Sequence, residues 1–202
     1  MTADLSPQSP PADAVKATPA FWNVPNTITL GRLALSVVVF ALIGLEQYFA
    51  GLVVFALAAL TDGLDGYLAR RLGQSTPIGR QLDPLVDKVI VAGAYVYLLS
   101  VEGTGVKPWM VTAIITRELL IQGLRSHLEG QGQAFGAKMA GKVKTTLQCL
   151  SICAILAVLW LRPSATWVLL RDLLTWSAVA MTIYSGLGYV LAASPALRGR
   201  KG

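Results

Sequence analysis

An all-α integral membrane protein of about six transmembrane helices, with a short N-terminal interfacial helix, is the fold this sequence predicts. Three observations predict it. Of the 202 residues 54% are hydrophobic and only 14% are charged. Mean hydropathy is +0.58. Apolar runs of about 18 to 22 residues, the length a bilayer demands of a helix, recur along the chain.

The opening segment, MTADLSPQSPPADAVKATPA, is rich in Pro, Ala and Ser without apolar periodicity, so residues 1–20 are expected to form a disordered cytoplasmic tail. No cleavable signal is expected, because the first apolar stretch begins late and lacks a basic region before a short apolar core. Phe21, Trp22 and Val24 suggest a short amphipathic element, with the Trp22 ring suited to headgroup depth. Six spans follow, over approximately Thr27 to Leu45, Tyr48 to Ala69, Leu82 to Val101, Pro108 to His127, Thr145 to Leu161 and Thr166 to Ala193. They make one transmembrane domain over 21–196, ahead of a basic cytoplasmic C-terminus over 197–202.

Orientation follows from Lys and Arg. One set of loops and helix ends carries Lys16, Arg32, Arg70, Arg71, Arg80, Lys88, Arg125, Lys138, Lys142, Lys144, Arg198, Arg200 and Lys201. The opposite set carries Lys107, Arg162 and Arg171. Positive-inside bias therefore predicts a multi-pass protein of the cytoplasmic (inner) membrane with both termini cytoplasmic. Trp109, Trp160 and Trp167 fall at the other interface, as an aromatic belt would. The net charge of +6 suits an anionic leaflet or anionic substrates, and no nucleic-acid partner is expected.

Two acidic pairs interrupt the apolar pattern: Asp62 and Asp65 in ALTDGLDGYLARR, then Asp83 and Asp87 in IGRQLDPLVDKVIV. A carboxylate in hydrocarbon costs roughly 2.5 to 3.5 kcal/mol even on the lenient insertion scale. Four of them need a cation, a proton or a watery cavity. Asp62 and Asp65 are three apart, whereas Gly79, Asp83 and Asp87 are each four apart, so each set shares a helix face. The polar turn RRLGQSTP would bring the two faces together. Four hard oxygen donors without Cys or His suit Mg²⁺ or Mn²⁺ rather than zinc, and bridging carboxylates can hold two such ions. Gly63, Gly66, Ala69 and Gly79 leave room beside the acids for a ligand, and Arg70 offers a fork of donors to phosphate. The combination reads as a diphosphate site.

Asp62, Asp65-Gly66, Ala69-Arg70, Gly79, Asp83 and Asp87 make eight matches across a 26-residue window, and in this the chain resembles the CDP-alcohol phosphotransferases. It is also similar to the glycerol-phosphate branch of that family in NVPNTITLGRL, RRLGQSTPIG, ITRELLIQGLR and GKVKTTLQ. It departs at Gln122, where members often carry a small hydroxyl residue. The resemblance implies transfer of a phosphatidyl group from CDP-diacylglycerol to sn-glycerol 3-phosphate, with release of CMP, by a homodimer. It implies that Asp62, Asp65, Asp83 and Asp87 bind two divalent cations, with Asp83 and Asp87 catalytic and Asp87 the general base. It further implies that Asn26, Gly63, Gly66, Ala69, Arg70, Thr76 and Gly79 line the cytidine and diphosphate site.

An anionic acceptor needs its own cations. Arg117, Lys142 and Lys144 lie in segments that converge on the cytoplasmic face, and Arg125 is two turns beyond Arg117. The competing reading makes Lys142, Lys144 and Arg125 interfacial anchors and pairs Arg117 with Glu118. Cys149 and Cys153 read as core packing, His127 as an interfacial residue, Arg171 and Asp172 as a local outer anchor, and LEGQGQAFGAKMAG as a mobile cytoplasmic linker. Three rival functions remain at this stage. They are a related transferase using phosphatidylglycerol or inositol phosphate, a membrane cation carrier that binds its cargo on the acids, and a helix-packing protein that leaves the acids unexplained.

Overall fold

The computed structural model describes residues 24–72, 77–130, 139–161 and 164–198, with side chains at 30–61, 86, 88–128, 130, 139–161 and 164–194. The described residues form six helices: α1 (Val24–Gly44), α2 (Tyr48–Leu72), α3 (Pro77–Leu99), α4 (Pro108–Gly130), α5 (Met139–Leu161) and α6 (Ala165–Arg198). Prolines punctuate the starts. Pro25, Pro77 and Pro108 sit in the first turns of α1, α3 and α4, where a missing N–H breaks no helical bond.

The α1–α2 junction is a Schellman turn. The Glu46 N–H donates to the Ile43 carbonyl at 3.1 Å and the Gln47 N–H to the Leu42 carbonyl at 2.8 Å. Glu46 occupies the left-handed position with φ 58°, a place usually left to glycine. The α3–α4 loop does use glycine, at Gly103 (φ 78°) and Gly105 (φ 72°).

Helix α1 packs on α2 and α3, α2 on α5, α5 on α6, α6 on α4 and α4 on α3, closing a ring that an α3–α5 contact bridges. Val39, Ile43, Phe55, Tyr95, Leu98, Met110, Ile114, Ile152, Ile155, Leu156 and Val179 form the buried core. These positions lie in the half of the bundle nearest the α1–α2, α3–α4 and α5–α6 connections. Gly93 admits the Phe40 ring between α1 and α3, since a Cβ there would stand 2.2 Å from Phe40 Cζ. The same ring stacks on Tyr97 at 5.2 Å.

At the connection end, Trp109 packs on Trp176 (5.5 Å) and Trp160 on Phe49 (4.4 Å), and all three tryptophans are exposed, as is Trp167. Large apolar side chains face outward on all six helices, from Val37 on α1 to Leu60 (68% exposed) on α2 and Leu191 (71%) on α6. An apolar exterior of that extent suits a lipid solvent. Helices over Met139–Leu161 and Ala165–Ser194 are long and apolar enough to cross a membrane by length and composition. The apolar stretches Leu30–Gly44, Tyr48–Thr61 and Lys88–Leu99 are shorter.

Several helices run past the expected apolar spans. Arg70 and Arg71, assigned to a turn, belong to α2, and α3 opens at Pro77 rather than near Leu82. The expected 128–141 linker is shorter than its composition suggested, because Leu128 is buried in the last turn of α4 and Met139 to Gly141 open α5. The expected tail and interfacial element over 1–23, and residues 131–138, lie outside the described residues.

Candidate active site

The half of the bundle opposite the core opens into a cavity of about 910 Å³ lined by all six helices. Its wall is mainly apolar on α2 and α3, with Phe55, Ala58, Ala59, Leu60, Val86, Ile90 and Val91, and carries cations on α1, α3, α4 and α5. Arg32, Lys88, Arg117, Arg125, Lys142 and Lys144 line it, and Glu118 is the one carboxylate among the described lining residues. Among the described residues, six cations and one anion around a single space favour an anionic ligand.

Stripes on two helices build much of the basic part of this wall. On α4, Glu118, Gln122 and Arg125 recur at helical spacing; on α5, Gly141, Lys144 and Gln148 do the same. Glu118 links the two helices. Its Oε1 accepts from Arg117 Nη1 at 3.2 Å and from the Lys144 ammonium across the α4–α5 gap. Glu118 and Lys144 are both buried. Lys88 on α3 donates to Gln122 Oε1, and Gln148 Nε2 donates to Thr182 Oγ1 at 3.0 Å.

The four expected acceptor cations are thus brought to one cavity. Lys144 is a buried, paired group rather than a headgroup anchor, whereas Lys142 is exposed. The expected Arg117–Glu118 pair is present, enlarged by Lys144. Gln122, singled out in the sequence as a departure in the acceptor region, lines the cavity, whereas Lys88, Gln148 and Tyr189 were not anticipated at this site. A lone Lys inside the apolar stretch DKVIV and the four-residue step from Lys144 to Gln148 were the signals available.

Asp62 and Asp65 lie on the last part of α2, and Asp83 and Asp87 on the first part of α3. Their side chains fall outside the described ones, as do those of Asn26, Gly63, Gly66, Ala69, Arg70 and Gly79 on these helices and on α1; Thr76 lies outside the described residues altogether. Leu60 and Val86, which line the cavity, precede Asp62 and Asp87 by two residues and one residue. The acid-bearing segments therefore border the basic cavity along the backbone. As a donor set, four carboxylates on regular helix with no His or Cys between residues 59 and 91 fit hard divalent cations.

Other expectations resolve simply. Cys149 and Cys153 form no disulfide and are half-buried on α5. His127 is exposed in the last turn of α4. Arg171 is more than a local anchor: it is buried, pairs with Asp172 at 2.6 Å, and donates to the Gly103 carbonyl, which ties α6 to the α3–α4 loop.

The family model for CDP-alcohol phosphatidyltransferase matches residues 22–184. The chain belongs to that family. Among its relatives, a CDP-diacylglycerol–glycerol-3-phosphate 3-phosphatidyltransferase of Bacillus subtilis (strain 168) is 36% identical over 83% of this chain and 93% of its own length. Proteins of the same description from Pseudomonas fluorescens and Escherichia coli (strain K12) are 39% and 38% identical, over 89% and 85% of this chain and 95% of each relative. The family's match covers the acid-bearing helix ends and most of the cavity wall, and it stops before the last turns of α6.

Proposed function

We propose that the protein transfers the phosphatidyl group of CDP-diacylglycerol to the primary hydroxyl of sn-glycerol 3-phosphate, giving phosphatidylglycerophosphate and CMP. The observation that carries this reading is the cavity, lined among the described residues by six cations and one carboxylate, that borders the family's acidic helix segments. The named activity of the relatives supports the same acceptor.

In this reading the acceptor hydroxyl oxygen attacks the β-phosphorus, the bond from that phosphorus to the CMP oxygen breaks, and Asp87 takes the hydroxyl proton. Asp62, Asp65, Asp83 and Asp87 would hold two divalent cations, Mg²⁺ or Mn²⁺, which when bound supply charge neutralisation at the diphosphate and the leaving oxygen. Arg70 binds phosphate oxygens of the donor. Asn26, Gly63, Gly66, Ala69, Thr76 and Gly79 surround the cytidine and diphosphate. Arg117, Lys144, Arg125 and Lys142 hold the acceptor's phosphate dianion, with Lys88 beside them. The apolar α2–α3 wall faces the lipid-bearing donor.

The setting we infer is a multi-pass protein of the cytoplasmic membrane, with six spans over 21–196, both termini cytoplasmic, and a homodimeric assembly. Acids near the cytoplasmic helix ends keep the phosphorus at headgroup depth while the acyl chains stay in the bilayer. A cation carrier leaves the basic lining on α4 and α5 without a role, whereas an anionic acceptor uses it. The test is CMP release from CDP-diacylglycerol by purified protein with Mg²⁺ or Mn²⁺, offering glycerol 3-phosphate, inositol phosphate and phosphatidylglycerol separately. Release with glycerol 3-phosphate alone is expected. Release with a different acceptor overturns the acceptor assignment, and no release from folded protein overturns the transferase reading.

A further inference from the structure

Arg117 is held by more than Glu118. Its Nη2 donates to Ser185 Oγ at 3.2 Å, and its guanidinium carbon lies 5.7 Å from the centre of the Tyr189 ring. Between these two contacts on α6 sits Gly186. A Cβ at Gly186 would stand 2.9 Å from Arg117 Cγ, with Arg117 Cβ and Nε each at 4.0 Å. Cγ is the stem of the side chain and not its free end, so any side chain at 186 displaces the whole arginine. Ser185 and Tyr189 are both buried.

The chemistry of these contacts is selective. A hydroxyl, a ring face and a missing side chain fix direction without neutralising charge. Among the described residues the only carboxylate on Arg117 is Glu118, and Lys144 shares it. Two cations on that one anion leave a positive charge for a ligand. Among the described residues the buried Nε of Arg117 has no hydrogen-bond partner. A guanidinium held rigidly, undercompensated among the described residues and lining an anion-favouring cavity is pre-organised for an oxyanion.

We infer that Ser185, Gly186 and Tyr189 of α6 form a neutral cradle that positions Arg117 to bind the phosphate of the acceptor. These are positioning residues, acting through Arg117. They lie beyond the stretch the family match covers. The inference rests on the assignment of the cavity to the acceptor phosphate, and the two can fail separately.

The experiment measures steady-state CMP release by full-length protein in detergent, varying glycerol 3-phosphate at saturating CDP-diacylglycerol and then the reverse. Arg117→Ala tests the acceptor assignment and is expected to raise the acceptor KM at least about tenfold, the loss of a charge-assisted contact. Gly186→Ala and Tyr189→Leu test the cradle. Each is expected to raise the acceptor KM about tenfold while kcat and the KM for CDP-diacylglycerol change less than about twofold. Tyr189→Phe, which keeps the ring face, recovers most of what Tyr189→Leu loses. An unchanged acceptor KM in Arg117→Ala overturns the acceptor assignment and the cradle with it. A raised KM in Arg117→Ala with normal values in Gly186→Ala and Tyr189→Leu overturns the cradle alone, as does an equal loss for both substrates. If Gly186→Ala does not fold, the Tyr189→Leu and Tyr189→Phe comparison decides.

Discussion

Glu118→Gln is the most informative single change outside the acids. The substitution preserves volume and leaves an oxygen for hydrogen bonding, so it removes little except charge. Arg117, Lys144 and Glu118 expose only 10%, 5% and 8% of their side chains, so solvent compensates the two cations weakly. Removing one partner of a buried ion pair costs about 3 to 5 kcal/mol, and the adjoining cavity admits water, which favours the lower figure of about 3. For a chain of this length that corresponds to a fall of roughly 6 to 12 °C in Tm. The assay is thermal unfolding in detergent, without ligand and with glycerol 3-phosphate. A phosphate anion replaces the lost carboxylate, so the ligand should stabilise Glu118→Gln more than it stabilises the parent. For scale, a ligand at about 100 times its Kd contributes about 2.7 kcal/mol. Adding Lys144→Met to Glu118→Gln should restore part of the loss, since one stranded cation is removed with its partner. A Glu118→Gln melting temperature equal to the parent's would refute the argument that these two cations depend on Glu118.

Other consequences are more local. Asp83→Asn should abolish CMP release while leaving the melting temperature intact, because a neutral amide costs less in the bundle than a carboxylate; normal turnover would remove Asp83 from the catalytic set. Lys142→Ala, at an exposed position, should raise the acceptor KM by less than about fivefold, and Lys144→Ala by more than about tenfold; kinetics with varied glycerol 3-phosphate separate them. Arg171→Leu should cost about 2 kcal/mol by unfolding, having removed a buried donor from the Gly103 carbonyl, yet keep the specific activity of the folded fraction because the tie is at the far end of the bundle. Glu46→Gly should gain about 1 kcal/mol by relieving a left-handed backbone, read as a small rise in Tm.

How far the fold was legible depended on what each signal reports. Apolar runs located all six helices, and at Tyr48, Pro108 and Leu161 they located the ends as well. They failed at Met139 and Arg198, because a helix can continue past its apolar stretch through polar sequence and hydropathy cannot see it. At Pro77 a usable signal existed, since proline in the first turn marks a helix start better than the first apolar residue does. The acids were the most visible of the residues expected at the site, being the costliest to place in apolar sequence. The cavity's neutral members were less visible. Gln122 stands out only as a departure from the family's pattern, and Gln148 looks like an ordinary polar substitution until Thr182 is seen beside it. Nothing in the spacing of a single helix says that Arg117 on α4 and Gly186 on α6 will meet.

The periodicity of α6 does explain how that meeting is secured. Arg171, Thr175, Thr182 and Ser185 lie on one buried stripe, and its three hydroxyls share a pattern. Each donates to a carbonyl of its own helix, Thr175 to Arg171, Thr182 to Ala178 and Ser185 to Thr182. Each then has a lone pair left to accept from another helix: Thr175 from Ser151, Thr182 from Gln148 and Ser185 from Arg117. Apolar packing specifies helix register poorly in a lipid solvent, because the tails compete for the same surface. Three hydrogen bonds spaced along one stripe specify it well, since a slide of one residue would break all of them together. The first two bolt α6 to α5, and the third is the cradle on Arg117. The orientation of the arginine is therefore inherited from the α5–α6 register, so Ser151→Ala with Thr175→Val should weaken acceptor binding even though neither residue lines the cavity.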